Sequence, residues 1–172
     1  MQQSSPDCSH ITIRRVRRED AGAFLTLIDA LADYEHLDRP DAAARERLIR
    51  DGTGEQPRYE AFLAAIDGKD VGYAIIYETY SSFLARPTLY LEDIFVLPED
   101  RGRRAGAALF LHVAALARER DCGRMDWTVL DWNALAQDFY DRLGASWLKE
   151  WQLYRLTQNE LADLPAPNVH HA

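Results

Sequence analysis

The sequence has no apolar run near 18 residues, the length a helix needs to cross a bilayer. Its first residues, MQQSSPDCSH, also lack the hydrophobic stretch of a secretory signal. Cysteine is scarce. Cys8 and Cys122 show no metal-ligand spacing and one lies in a polar tail, so no disulfide is expected and a reducing cytoplasm is the expected setting. The five histidines suggest no metal site: His170 and His171 sit in a Pro-containing tail, and His112 falls on one face of a helix. Positive charge is in deficit. A formal net charge of −8 argues against a general nucleic-acid surface, which requires cationic charge, and suits a cationic small substrate. No linker and no internal repeat interrupts the 172 residues, which at 47% hydrophobic content suit one core. We expect a disordered tail over 1–10, one α/β domain over 11–157 and a C-terminal tail over 158–172.

What the sequence does contain is concentrated between Leu89 and Phe110, LYLEDIFVLPEDRGRRAGAALF. An apolar strand carrying two carboxylates breaks at Pro98, passes through an Arg/Gly loop and enters a helix. Such a junction presents unpaired backbone N–H groups and the positive end of the helix dipole at one point, a ready site for phosphate or pyrophosphate. Arg101, Arg103 and Arg104 add side-chain charge. The ordinary alternative is a solvated turn. A Walker-type loop is excluded because no lysine or hydroxyl follows Gly106, and the glycines at 102 and 106 do not fit the G-x-G-x-x-G dinucleotide spacing.

The element pattern alternates. Ile11–Arg15 reads as a strand. Asp20 is a candidate N-cap for a helix on which Phe24, Leu27, Ile28 and Leu31 recur at helical spacing. A second helix starts near Asp41. Tyr59–Ile66 and Val71–Tyr77 around the turn Asp67-Gly68-Lys69-Asp70 form an antiparallel hairpin. A loop through Ser81 and Pro87 leads to the strand Leu89–Leu97. A helix over 104–120, a strand Met125–Leu130, a helix Asn133–Leu143 capped by Gly144, and a final strand Trp147–Leu156 complete the domain.

This order of elements, with Ala32-Asp33-Tyr34-Glu35, Tyr90-Leu91-Glu92-Asp93-Ile94-Phe95-Val96, Asp131-Trp132-Asn133, Phe139-Tyr140 and Arg142-Leu143-Gly144-Ala145-Ser146, resembles the GCN5-related N-acetyltransferase (GNAT) superfamily over roughly 11–156. Within it the chain is similar to the spermidine/spermine (diamine and thialysine) acetyltransferases. The resemblance implies an α/β domain with a mixed, mostly antiparallel central sheet flanked by helices, whose splayed central strand pair binds acyl-CoA. It implies acetyl-CoA as co-substrate, no metal, a primary amine as acceptor, and a homodimer. The family's loop, Arg/Gln-x-x-Gly-x-Gly/Ala, falls on Arg101-Gly102-Arg103-Arg104-Ala105-Gly106, followed by Ala107. Arg104 replaces the first glycine of the pattern, which puts the closeness of pyrophosphate approach there in question. The backbone of Ile94, Phe95 and Val96, with Asn133, is implied to hold the pantetheine arm, although Asn133 is also a natural N-cap.

The chemistry assigns the remaining groups. An amine of pKa near 10 must lose a proton before attack, and the leaving thiolate must gain one. Glu92 is the candidate base or anchor of the substrate ammonium. Strict alternation would place it with Tyr90, Ile94 and Val96, and Asp93 with Leu89, Leu91, Phe95 and Leu97. Tyr140 is the candidate acid by its match to the family position; a tyrosine on an amphipathic helix is otherwise more often a core residue. The resemblance implies Tyr34, Glu35 and Asp126 as substrate contacts, and Asp93 is a further candidate beside Glu92. Lys149 in Lys149-Glu150-Trp151 would repel a long polycation, so thialysine, another amino acid ending in an amine, or a short diamine fits at least as well as spermidine. A peptide acetyltransferase and a non-catalytic acyl-CoA sensor are the alternatives.

Overall fold

The computed structural model describes residues 10–166. It falls into two compact units, one ending at Thr128 and one beginning at Val129. In the first, the order is β1 (Ile11–Arg15), α1 (Ala21–Glu35), α2 (Ala42–Thr53), β2 (Glu60–Ile66), β3 (Lys69–Ser81), β4 (Arg86–Val96), α3 (Ala105–Glu119) and β5 (Arg124–Asp126), with short 3-10 turns at Arg18–Asp20 and Pro98–Asp100. The five strands form one sheet in sequence order, antiparallel from β1 to β4 and parallel between β4 and β5. The α3 crossover makes that last pairing possible, since parallel neighbours need a long connection.

One sheet face carries Leu63, Tyr73, Ile75 and Phe95 against Phe24 and Leu27 of α1. Phe24 meets Tyr73 edge-on with ring centroids 5.5 Å apart. Each such large side chain, nearly fully buried, contributes about 1.5–3 kcal/mol. On the opposite face Phe62 meets His112 of α3 at 4.7 Å, and Leu109 and Val113 of the same helix are buried. Asp20 stands at the N-cap of α1, but its carboxylate accepts from Arg14 and from the Arg17 N–H rather than capping the helix. Asp41 does cap α2, accepting from the Ala44 N–H at 2.7 Å.

The hairpin extends further than its sequence pattern indicates: β3 and β4 remain paired out to Ser81 and Arg86, absorbing most of the expected loop. Conversely, the strand expected over Met125–Leu130 stops at Asp126.

The second unit holds α4 (Ala134–Arg142) and α5 (Gln158–Ala162). Gly144 takes φ +81° after α4, as a helix stop requires. The expected final strand Trp147–Leu156 does not form; this segment is irregular. A strand needs a paired edge and one apolar face. Here the large apolar residues come as adjacent pairs, Trp147-Leu148 and Leu153-Tyr154, and all are exposed.

Candidate active site

Glu92 is the extra residue of a β-bulge. Ile75 of β3 pairs with Asp93 and Ile76 with Leu91, so Glu92 has no counterpart across the ladder. A bulge breaks strict alternation and re-aims side chains. Tyr90, Asp93 and Phe95 pair with Tyr77, Ile75 and Tyr73 and share the α1 face, while Leu91, Ile94 and Val96 pair with Ile76, Ala74 and Gly72 on the other. The face assignment from alternation is therefore corrected. Glu92 lies with Asp93, apart from Ile94 and Val96, and Asp93 is apart from Leu91. Both carboxylates meet tyrosines of β3: the Tyr77 hydroxyl donates to Glu92 Oε2 at 3.1 Å and the Tyr73 hydroxyl to Asp93 Oδ2 at 3.3 Å.

This makes a half-buried acidic cluster. Burial, then the neighbouring Glu92 charge, pushes Asp93 up to about 6, against the opposing Tyr73 hydrogen bond and with Glu35 adding to the rise. Burial also raises Glu35, the last residue of α1. Tyr77 is pushed up to about 12 by burial and by Glu92, and Tyr73 well above its ordinary value by burial and by Asp93. A region holding three carboxylates and phenols that resist ionisation favours a cation.

Beside this cluster β4 has an open edge. β5 pairs only with Thr88, Leu89 and Tyr90, so from Leu91 to Val96 no described strand covers that side. At the end of the same strand lies the arginine loop. Gly102 and Arg104 have φ of +78° and +69°, and Arg104 is the N-cap of α3 without a side-chain cap. The N–H groups of Ala105, Gly106 and Ala107 open the helix, with Ala105 buried and the other two partly exposed. The three arginines differ in what they do. Arg101 donates from Nε to the Val96 carbonyl at 3.1 Å and lies 4.5 Å over the Tyr34 ring. Arg103 pairs with Asp100 at 2.8 Å. Among the described residues Arg104 makes no ion pair.

The other expected contacts are placed as follows. Asp126 ends β5 and is ion-paired to Arg124 at 2.9 Å. In the second unit, Asn133 caps α4, its Oδ1 accepting from the Ala136 N–H at 3.2 Å. Tyr140 is buried on the same helix, its ring 5.4 Å from that of Phe139.

Comparison with known proteins now decides the family. A sequence model described as the acetyltransferase (GNAT) family matches residues 24–145. The chain belongs to that family. It is 37% identical over 165 residues to a thialysine N-epsilon-acetyltransferase of Bos taurus, covering 90% of this chain and 96% of the relative. It is 38% identical over 117 residues to an L-ornithine N5-acetyltransferase of Arabidopsis thaliana, covering 67% of this chain and 51% of that one. Among solved structures, an integron cassette protein of V. cholerae aligns with a TM-score of 0.73 at 27% identity, over 88% of this chain and 95% of the other. The chain is thus an acetyl-CoA-dependent N-acetyltransferase.

In this acetyltransferase the chain's own groups fit such a co-substrate. The open β4 edge offers main-chain partners, and the uncapped start of α3 offers N–H donors for a diphosphate. Gly106 leaves them accessible: a Cβ there would meet only Val96 Cγ2, at 3.6 Å. Sequence reasoning missed Tyr73 and Tyr77, which hold the two carboxylates. The available signal was their i, i+4 spacing on a strand, which places both rings on one face. It also missed the bulge, which leaves no mark in a single sequence.

Proposed function

We propose that this acetyltransferase moves an acetyl group from acetyl-CoA to the terminal primary amine of a small cationic substrate. Thialysine and other amino acids ending in an amine come first, with short diamines and polyamines in the same class. The observation that carries this reading is the acidic cluster of Glu35, Glu92 and Asp93 beside the open edge of β4. The thialysine and ornithine activities named for two relatives agree with it.

At neutral pH, holding an amine of pKa near 10 in its reactive form costs about 4 kcal/mol. Glu92, exposed and hydrogen-bonded by Tyr77, takes the ammonium proton or anchors the ammonium. The amine nitrogen then forms its bond to the acetyl carbon as the carbon–sulfur bond breaks. Tyr140 gives its phenolic proton to the departing sulfur, and the acylated nitrogen sheds its second proton to restore the phenol, so two protons leave the nitrogen, one to Glu92 and one reaching the thiol by way of Tyr140. Asp93 and Glu35 add the negative potential that draws a cation in, and Tyr34 and Asp126 complete the acceptor side. Ile94, Phe95 and Val96, the N–H groups from Gly102 to Ala107 and Asn133 serve the donor side.

Turnover across a panel of amines, read as release of free thiol, tests the assignment. Thialysine and ornithine should exceed spermidine. Preference for peptide N-termini, or binding of acetyl-CoA without turnover on any amine, would overturn it.

The same reading includes a homodimer. Trp147, Trp151 and Tyr154 are 79%, 72% and 85% exposed, an apolar load for which a second copy is the proposed cover. Sedimentation at micromolar concentration should show a dimer; a monomer alone sinks the idea.

A further inference from the structure

Asp100 is a charged residue in a buried position, where charge is least expected. It ends the 3-10 turn between β4 and the arginine loop and is only 4% exposed. Two cations from different parts of the chain meet it. Lys69 Nζ, at the first residue of β3, donates to Oδ2 at 3.0 Å, and Arg103 donates to Oδ1 at 2.8 Å. Arg103 also lies 3.6 Å from Asp67 Oδ2, and Asp67 in turn accepts from the His10 N–H at 3.1 Å. The two cations hold Asp100 below the usual carboxylate range, Lys69 contributing most. The network thus fastens the centre of the loop, between its two left-handed residues Gly102 and Arg104, to the tip of the β2–β3 hairpin.

We infer that Asp100 is a positioning residue that presets the loop's N–H groups for the diphosphate of the acyl donor, acting through Arg103 and the hairpin tip at Lys69. The inference rests on the reading of Gly102–Ala107 as the acyl-CoA loop. A loop of this length with two positive-φ residues loses conformational freedom when it closes on a ligand, and each ordered residue costs about 1–2 kcal/mol of entropy unless the free protein is already ordered. The Asp100 contacts supply that order in the free protein. They also divide the arginines by role. Arg101 is engaged by the Val96 carbonyl and the Tyr34 ring and Arg103 by Asp100, whereas Arg104 makes no ion pair among the described residues.

The test is acetyl-CoA binding by calorimetry for the full chain and for Asp100→Asn, Arg103→Gln and the double variant, with steady-state kinetics in parallel. Asp100→Asn and Arg103→Gln should each weaken binding roughly tenfold. The double variant should be no weaker than the poorer single one, because the two act as one unit. kcat and the amine KM should stay within about twofold. In the free protein, hydrogen exchange at amides 102–107 should accelerate in both variants. Arg103→Gln, at an exposed side chain, keeps the test open should Asp100→Asn fail to fold. Additive losses would mean that Arg103 grips phosphate itself, and unchanged affinity would mean that the loop is set by other contacts; either result overturns the inference. If the unaltered protein binds no acetyl-CoA, the loop reading falls and the inference with it. That outcome is recognisable because exchange in the free protein reports separately on whether Asp100 orders the loop.

Discussion

Asp93 opposes the stability of the fold at neutral pH. Its folded value of about 6 stands above the 3.8 of an unperturbed aspartate, so the native state holds the proton more tightly than the unfolded chain does. The sign follows from that order. The contribution to stability is full below the unfolded value and is lost as pH rises through the folded one. By pH 8 the loss is about 3 kcal/mol, an upper figure because part of the rise comes from the neighbouring Glu92 and Glu35 charges. Asp93→Asn should therefore be more stable than the parent by about 1–3 kcal/mol at pH 8. Urea unfolding at pH 8 and pH 4 checks this: the gain should vanish at pH 4, and an equal gain at both would mean that ionisation is not its source. Arg104 shows local strain of another kind. A residue with a Cβ in the left-handed region costs about 1–2 kcal/mol, while glycine adds unfolded-chain entropy worth about 0.4–1 kcal/mol. With φ at +69°, Arg104→Gly should raise stability by about 0.5–1 kcal/mol. Thermal unfolding would reveal it, and a lower melting temperature would show that the arginine side chain stabilises the loop.

At the scale of elements, β4 and α3 must meet closely for the loop between them to serve a diphosphate. Gly106 tests this directly. Its missing Cβ would sit 3.6 Å from Val96 Cγ2, an ordinary contact, so Gly106→Ala should fold normally. The larger Gly106→Val should raise the acetyl-CoA KM between roughly tenfold and a hundredfold by crowding the helix N-terminus, and a normal KM would remove that N-terminus from the donor site. The strand, the loop and the helix were legible in the sequence because each carries its own local signal: an apolar run, a proline and glycine break, then small apolar residues at helical spacing. The hairpin around Asp67-Gly68 was legible for the same reason. Two elements were not. The bulge at Glu92 arises from a mismatch between two strands, and alternation within β4 alone assigned its carboxylates to opposite faces. The segment Trp147–Leu156 has strand-like composition, but pairing needs a neighbouring edge that composition does not report.

At the scale of the whole molecule, the proposed chemistry assigns one proton-transfer role to Glu92 and another to Tyr140. The two proton transfers are separable by substitution. Tyr140→Phe deletes one hydroxyl from a buried ring, so folding and acetyl-CoA affinity should survive while kcat falls by roughly 10²-fold or more. Glu92→Gln leaves the Tyr77 contact an acceptor and removes the charge. If Glu92 is the base, the variant depends on amine already neutral in solution. That fraction grows about tenfold per pH unit up to the amine pKa, so the rate profile should move toward alkaline pH. If Glu92 anchors the ammonium instead, the amine KM should rise while the pH profile keeps its shape. A pH–rate series on both variants, with acetyl-CoA binding measured alongside, separates base from anchor. An unchanged kcat in Tyr140→Phe would leave the thiolate to be protonated by water and take the tyrosine out of the mechanism.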